Sequence, residues 1–264
     1  MKALAMGLLA LSSVALAPRA QGAEPGFDRT WSGDHAPTIP RGRVELGLFQ
    51  SSHYGVTDRI ELSLHPVLFF ALPHVEAKVQ ALQHGRLSWA VRGRLAYPTL
   101  FLGLVSRSGA GGLLPETSSP PQALQIEGDV LVSAAWAEAQ LASVNLGLAV
   151  APHTSFTPQE LPLLDFPFLY PRFAPLYSVL VPRLALSFEG RLLSRLFYEV
   201  ALSGYLMPAL PDVGTAYALE QALALEYRHG PCLAISAGLR ASEAKYAYGT
   251  LVHFLPYLDV RFGF

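Results

Sequence analysis

The chain has 264 residues, of which 51% are hydrophobic and only 15% charged, with a mean hydropathy of +0.31 and a formal net charge of −1. A soluble domain usually carries about 25% charged residues, so the deficit points to a surface that does not face water. The near-balance of 19 basic and 20 acidic residues leaves no basic footprint for nucleic acid, and the single cysteine, Cys232, excludes an intrachain disulfide.

Met1-Lys2 is a short basic start, Ala3 to Ala17 an apolar stretch, and Ala20-Gln21-Gly22 a small-residue end. Residues 1–22 are therefore expected to be a secretory signal. Removing them takes away Lys2 and Arg19 and leaves 17 basic against 20 acidic residues, a net of −3. Beyond them no apolar run reaches the roughly 18 residues of a membrane-spanning helix. An apolar exported chain of this kind either buries a large soluble core or crosses a membrane as a closed barrel.

Residues 23–40 form an N-terminal segment, and 41–264 alternate with period two almost throughout. Val44, Leu46 and Leu48 alternate with Glu45. Ile60, Leu62 and Leu64 alternate with Glu61. Val75, Ala77 and Val79 alternate with Glu76 and Lys78. Leu87 to Tyr97 brings Arg92 and Arg94 onto one face, and Leu124 to Val132 does the same for Glu127 and Asp129. Val144 to Val150 follows, then Leu184 to Phe188 with Arg183. Leu196 to Leu202 carries Glu199. Leu219 to Tyr227 carries Glu220, Glu226 and, at its end, Arg228. Leu233 to Leu239 leads to Arg240. The last strand runs from about Thr250 to Phe264 with Asp259 and Arg261. These make eleven segments, and a bacterial barrel normally has an even number. The twelfth is expected within Asp28–Ile39, with ten strands the alternative should one segment fail.

In strand after strand one face is nearly free of charge, which suits hydrocarbon, where a mid-depth Arg or Lys costs roughly 2–4 kcal/mol. The fold expected is an all-β, transmembrane, antiparallel barrel of about twelve strands. Tight turns are expected at Tyr54–Asp58, Gln83–Arg86, Ala137–Leu141, Glu189–Leu192 and Arg228–Pro231. Long loops are expected at Thr99–Pro121 and Pro152–Arg172, with shorter ones near Met207–Gly214 and Ala241–Gly249. Short periplasmic turns opposite longer outer loops are the outer-membrane pattern. Tyr97, Tyr177, Tyr205 and Tyr217 at one end, with Trp136, Tyr227 and Phe264 at the other, would form two aromatic girdles.

The stretch Tyr54-Gly55-Val56-Thr57-Asp58-Arg59-Ile60-Glu61-Leu62 resembles a turn common in bacterial outer-membrane barrels. Tyr257, Val260, Phe262 and the terminal Phe264 resemble the signal read by the barrel-assembly machinery. Pro40–Val79 is similar to a family of uncharacterised outer-membrane barrel proteins. The resemblance implies an outer-membrane barrel with membrane lipid and the assembly machinery as partners. It implies no substrate.

The lumen-facing set is the main functional candidate: Glu45, Glu61, Glu76, Lys78, Arg92, Arg94, Glu127, Asp129, Arg183, Glu199, Glu220, Glu226, Arg228, Arg240, Asp259 and Arg261. Such charges either line a water-filled passage or pair across the interior and close it. His153-Thr154-Ser155, with Asp165 or Glu160 as a third group, resembles the His-x-Ser centre of outer-membrane lipid hydrolases. Its register puts it on the lumen face, away from lipid. The eight histidines lack ligand spacing, so no metal and no cofactor are expected. The function expected is a narrow channel for small polar solutes or ions. A closed structural barrel is the alternative, and a hydrolase ranks third.

Overall fold

A strand that alternates apolar and polar side chains can show them to opposite surfaces of a sheet, and twelve strands here do so around a closed ring. The structure is a computed structural model, and it describes residues 30–106, 120–137, 139–154, 161, 163–164 and 166–264. The strands are β1 (Val44–Gly47), β2 (Ser52–Thr57), β3 (Ile60–Leu64), β4 (His74–His84), β5 (Leu87–Ala96) and β6 (Gln125–Ala137). They continue as β7 (Gln140–Val150), β8 (Val181–Arg191), β9 (Leu196–Leu210), β10 (Gly214–His229), β11 (Leu233–Tyr246) and β12 (Gly249–Gly263). Each pairs antiparallel with its chain neighbours, and β1 closes on β12. No described helix is long and apolar enough to cross a membrane.

The twelfth strand is not where the alternation placed it. It is β2, Ser52–Thr57, within a stretch taken for a loop and a turn; the turn itself is only Asp58-Arg59. Gly55 sits at an inward position of β2, so this strand has no inward apolar or charged marker there. Among the described residues of the expected strand, 30–39, there is no strand at all. Pro37 and Pro40 deprive that stretch of ladder donors. The loops expected near Met207–Gly214 and Ala241–Gly249 are also mostly strand: β9 to β12 run on into tight hairpins.

Strand length rises around the ring. β1 to β3 have 4, 6 and 5 residues, β4 to β8 have 10 to 13, and β9 to β12 have 14 to 16. A membrane strand needs about 9–11 residues. One wall therefore stands tall while the opposite wall falls short. The two ends also differ. One, the turn end, carries Asp58-Arg59, Gly85-Arg86 and Gly230–Cys232. The other, the loop end, carries the long connections. These include three short helices: α1 (Pro66–Ala71), α2 (Thr99–Val105) and α3 (Tyr170–Phe173), the last continuing as a 3-10 turn over Ala174–Leu176.

The apolar face of each strand points outward. Leu95, Val130, Leu146, Leu184, Leu202, Leu223 and Leu239 are all exposed. The compact apolar clusters lie inside, at the loop end. Tyr170 and Ala174 pack on Met207, Ala218, Ala244 and Tyr246 of the tall wall, while Phe173 and Leu176 pack with Leu102, Val105 and Ala123. The described residues 166–180 between β7 and β8 thus fold inward and cap the barrel. Tyr177 and Tyr205 belong to this interior and not to an outer girdle: Tyr205 faces the guanidinium groups of Arg172 and Arg183.

Candidate functional site: the filled lumen

Pairing register fixes which side chains share a face, because directly opposed residues point the same way. Around the ring, Glu45 opposes Gly263, Glu61 opposes Lys78, Lys78 opposes Arg92, and Arg92 opposes Asp129. Glu76 opposes Arg94, which opposes Glu127. Asp129 opposes Gly147, and Gly147 opposes Arg183. Glu199, Glu220, Glu226, Arg228, Arg240, Asp259 and Arg261 follow in the same register. All sixteen charged positions named from the sequence therefore share the inner face. Val260, Phe262 and Phe264 lie on the outer face. Tyr257 does not join them: it opposes Gly238 on the inner side, with the Arg240 guanidinium 5.3 Å from its ring centre.

The inner face is not bare. Residues 31–40 enter the lumen before β1 begins, and Trp31, His35, Ala36, Thr38 and Ile39 are almost fully buried there. The wall residues fasten this segment. Both Glu45 carboxylate oxygens accept from the Ser32 amide, at 3.0 and 3.1 Å. Glu61 accepts from Ser32 Oγ at 2.6 Å and from the Ile39 amide at 3.0 Å. Lys78 Nζ donates to the His35 carbonyl at 3.2 Å, and Arg92 donates to Asp34 at 2.6 Å. The Ala36 amide donates to Ser133 Oγ, Asn145 donates to the Asp34 carbonyl, and Arg261 donates to the Ser32 carbonyl. His35 reaches Glu189 at 2.5 Å. Small inward residues make the room: Ala36 packs on Ala90 and Leu131. A Cβ on Gly55 would strike the Pro40 carbonyl.

The same charges also pair with one another. Arg92 reaches Asp129 at 2.9 Å, Arg94 reaches Glu76 and Glu127 at 3.1 Å each, and Lys78 reaches Glu61 at 3.3 Å. Glu226 holds Arg228 at 2.6 Å and also pairs with Arg261. Asp259 accepts from the amides of Leu48 and Phe49, at 3.1 and 2.7 Å. Burying an ion is tolerable only when its bonding capacity is met, and this network supplies much of it with backbone groups as well as opposite charges, leaving Arg92 Nη2, Asp259 Oδ2 and Arg261 Nε among the buried atoms without a protein partner. Around Asp34, burial would raise the carboxyl's pKa, but Arg92, Arg183 and Lys78 outweigh it and hold the group well below the usual carboxylate range. The Asp34 side chain is nevertheless 51% exposed.

At the loop end the cap adds a further ion pair, Arg172 to Glu220 at 2.5 and 2.8 Å. The Tyr170 hydroxyl donates to the Lys245 carbonyl at 2.9 Å. Between the cap and the wall a cavity of about 40 Å³ remains beside Arg94, Arg172, Arg183 and Tyr205. That is room for a water molecule or so.

The sequence missed the inner segment and its partners Glu189, Ser133 and Asn145. A signal existed in Asp34-His35, polar residues set between Trp31 and Ile39 beside two prolines. Of the hydrolase candidate only His153 and Thr154 are described. His153 is exposed, bridges to Ala123, and donates Nδ1–H to the Thr154 carbonyl at 2.8 Å. Ser155, Glu160 and Asp165 lie outside the described residues, as does the expected signal 1–22. Among the described residues no group of His, Cys, Asp and Glu could hold a metal ion.

No protein-family model and no curated protein matches the chain. Among solved structures it is similar to the outer-membrane expressed OmpT of Vibrio cholerae, with 11% identity and a TM-score of 0.45 over 95% of this chain and 72% of that one. A loop-deleted form of the same protein gives 12% identity and a TM-score of 0.45, over 81% of this chain and 62% of that one. The outer-membrane channel DcaP of Acinetobacter baumannii gives 8% and 0.42, over 81% and 61%. The chain thus spans less than two thirds of the length of the last two.

Proposed function

We propose that this chain is an outer-membrane β-barrel whose lumen is held shut by its own inner segment. The membrane assignment rests on an outer face of exposed Leu, Val and Phe around a closed ladder, the arrangement hydrocarbon demands. The turn end, with the carboxyl terminus, then faces the periplasm.

The observation that carries the closed reading is the seating of residues 31–40. It is bonded to β1, β3, β4, β5, β6, β7, β8 and β12, so it crosses the middle of the lumen and not one wall. The inward cap from the β7–β8 connection shuts the other end. A solute can pass only if both move. The lumen charges are therefore fasteners first, and conduction is a property of a displaced state. Planar-bilayer recording tests this. The wild-type protein should show no steady conductance, whereas variants that unseat the segment should show discrete openings. A wild-type barrel with constant ohmic conductance at low voltage would end the reading.

A further inference from the structure

The barrel wall is incomplete on one side. β1 pairs with β12 only from Glu45↔Gly263 to Gly47↔Arg261, with one further bond from the Leu48 amide to the Val260 carbonyl. Beyond that point β12 runs outward to Gly249, and among the described residues no strand pairs with it on the β1 side. Backbone direction follows from the bonds present. Val44 and Phe264 exchange hydrogen bonds and Val260 faces β1, so Leu258, Pro256, Phe254 and Val252 face the same way. Pro256 is tolerated in the strand for this reason: the donor it lacks would point into the opening. The amides of Leu258, Phe254 and Val252 do point there.

This opening lies at membrane depth, because β1 to β3 are too short to span the apolar layer. Its rim carries many apolar side chains. On β12, Val252, Phe254 and Leu258 are exposed outward, and Leu251 and Leu255 are exposed inward, at 40% and 48%. On the other side Leu48 and Phe49, which follow β1, are exposed, and α1, which follows β3 at the loop end, buries none of its residues and leaves Phe70 81% exposed. A bare sheet edge is not stable against hydrocarbon unless something satisfies its polar groups.

Just inside is a positive charge with no acidic partner. Arg240 opposes Leu255 across β11 and β12 and stands over the Tyr257 ring, and among the described residues no carboxylate lies within ion-pair distance of it. Nearby, Arg94 and Arg172 are matched by Glu76, Glu127 and Glu220, while Arg183 faces the Tyr205 ring beneath the cap.

We propose that the opening is a side entrance for a single-chain anionic amphiphile of the surrounding leaflet. Its hydrocarbon chain lies along the β12 edge between Leu251, Leu255 and α1. Its acidic head reaches Arg240 and the edge amides. This rests on the membrane assignment above and not on the seating of residues 31–40, whose bonds go to Glu45, Glu61, Lys78, Arg92, Ser133, Asn145, Glu189 and Arg261 and not to Arg240 or Leu255.

The test is equilibrium binding of radiolabelled palmitate to the folded, detergent-solubilised protein, with hexadecanol as the uncharged probe. Saturable palmitate binding is expected, with hexadecanol weaker by about tenfold or more. Arg240→Gln should remove the preference for palmitate. Leu255→Trp, or Leu251→Trp should that variant misfold, should weaken both probes by filling the path of the chain. Arg86→Gln, exposed at the turn end, should change neither. Non-saturable uptake, or equal affinity for both probes in the wild type, overturns the proposal. So does disulfide dimerisation of Val252→Cys in a Cys232→Ser background within vesicles, which would show a second copy covering the edge.

Discussion

Glu61→Gln is the substitution that should most directly unseat the inner segment. The Glu61 carboxylate is 2% exposed and serves four donors: Ser32 Oγ, the Ile39 amide, His53 Nδ1 and Lys78 Nζ. Two of these belong to the segment and two to the wall. Glutamine keeps the shape but removes the charge, and its amide nitrogen turns a donor toward groups that themselves donate. Lys78 would keep only the carbonyls of Gly33 and His35, at 3.4 and 3.2 Å, with no carboxylate. Removing one partner of a buried, hydrogen-bonded pair typically costs about 3–5 kcal/mol. If about half of that falls on the seated state, the equilibrium between seated and displaced segment shifts by roughly ten- to sixtyfold. The assay is thiol accessibility. Asn145→Cys, in a Cys232→Ser background, places a thiol on the wall opposite Asp34, where Asn145 is 2% exposed. A membrane-impermeant maleimide should label it at least tenfold faster with Glu61→Gln, and channel openings should appear together with the labelling. Unchanged labelling in a barrel that is measurably less heat-stable would refute the idea that Glu61 fastens the segment; its role would then lie in the wall alone.

Gly55→Ala should act from the other side, because a Cβ there collides with the Pro40 backbone. A loss of roughly 1–3 kcal/mol in urea unfolding, with faster Asn145→Cys labelling, is the expected result. Acid should loosen the segment as well. The Asp34 carboxyl is held below its ordinary value of 3.8, so its contribution is present above that value and is lost as pH falls beneath it. Labelling rate measured from pH 7 down to 3 should stay flat and then rise below about pH 4, and the rise should vanish in Asp34→Asn. Glu189 and Glu199 stand directly opposite each other on β8 and β9, like charges in register. Glu199→Gln should therefore stabilise the barrel by about 0.2–1 kcal/mol, read as a higher midpoint in urea.

The ring of strands was legible because lipid and lumen impose opposite chemistry on alternate residues, and β4 to β12 obey that rule over ten residues or more. The rule failed where a strand is short and its inward position is a glycine. β2 offered Gly55 in place of a charge, and the missing strand was sought in the wrong stretch. Register converted the alternation into a shared inner face for Glu45 through Arg261. No period marks a segment that fills the lumen. Residues 31–40 are irregular, and their side chains are specified by walls distant in sequence, such as Ser133 and Arg261. The two extra girdle tyrosines were misread for a related reason. Tyr205 is inward by parity, and only the Arg172 that arrives from the cap explains why an aromatic is wanted there.

The short seam between β1 and β12 has a consequence for how the molecule is assembled. The first and last strands share little ladder of their own. The inner segment supplies what is missing by bonding to both: Ser32 takes Glu45 of β1 through its amide and Arg261 of β12 through its carbonyl. The Trp31 ring lies between the guanidinium groups of Arg43 and Arg261, at 4.9 and 5.1 Å. The ring's closure and its filling thus share the same bonds, and residues 31–40 act as the latch on the join between β1 and β12.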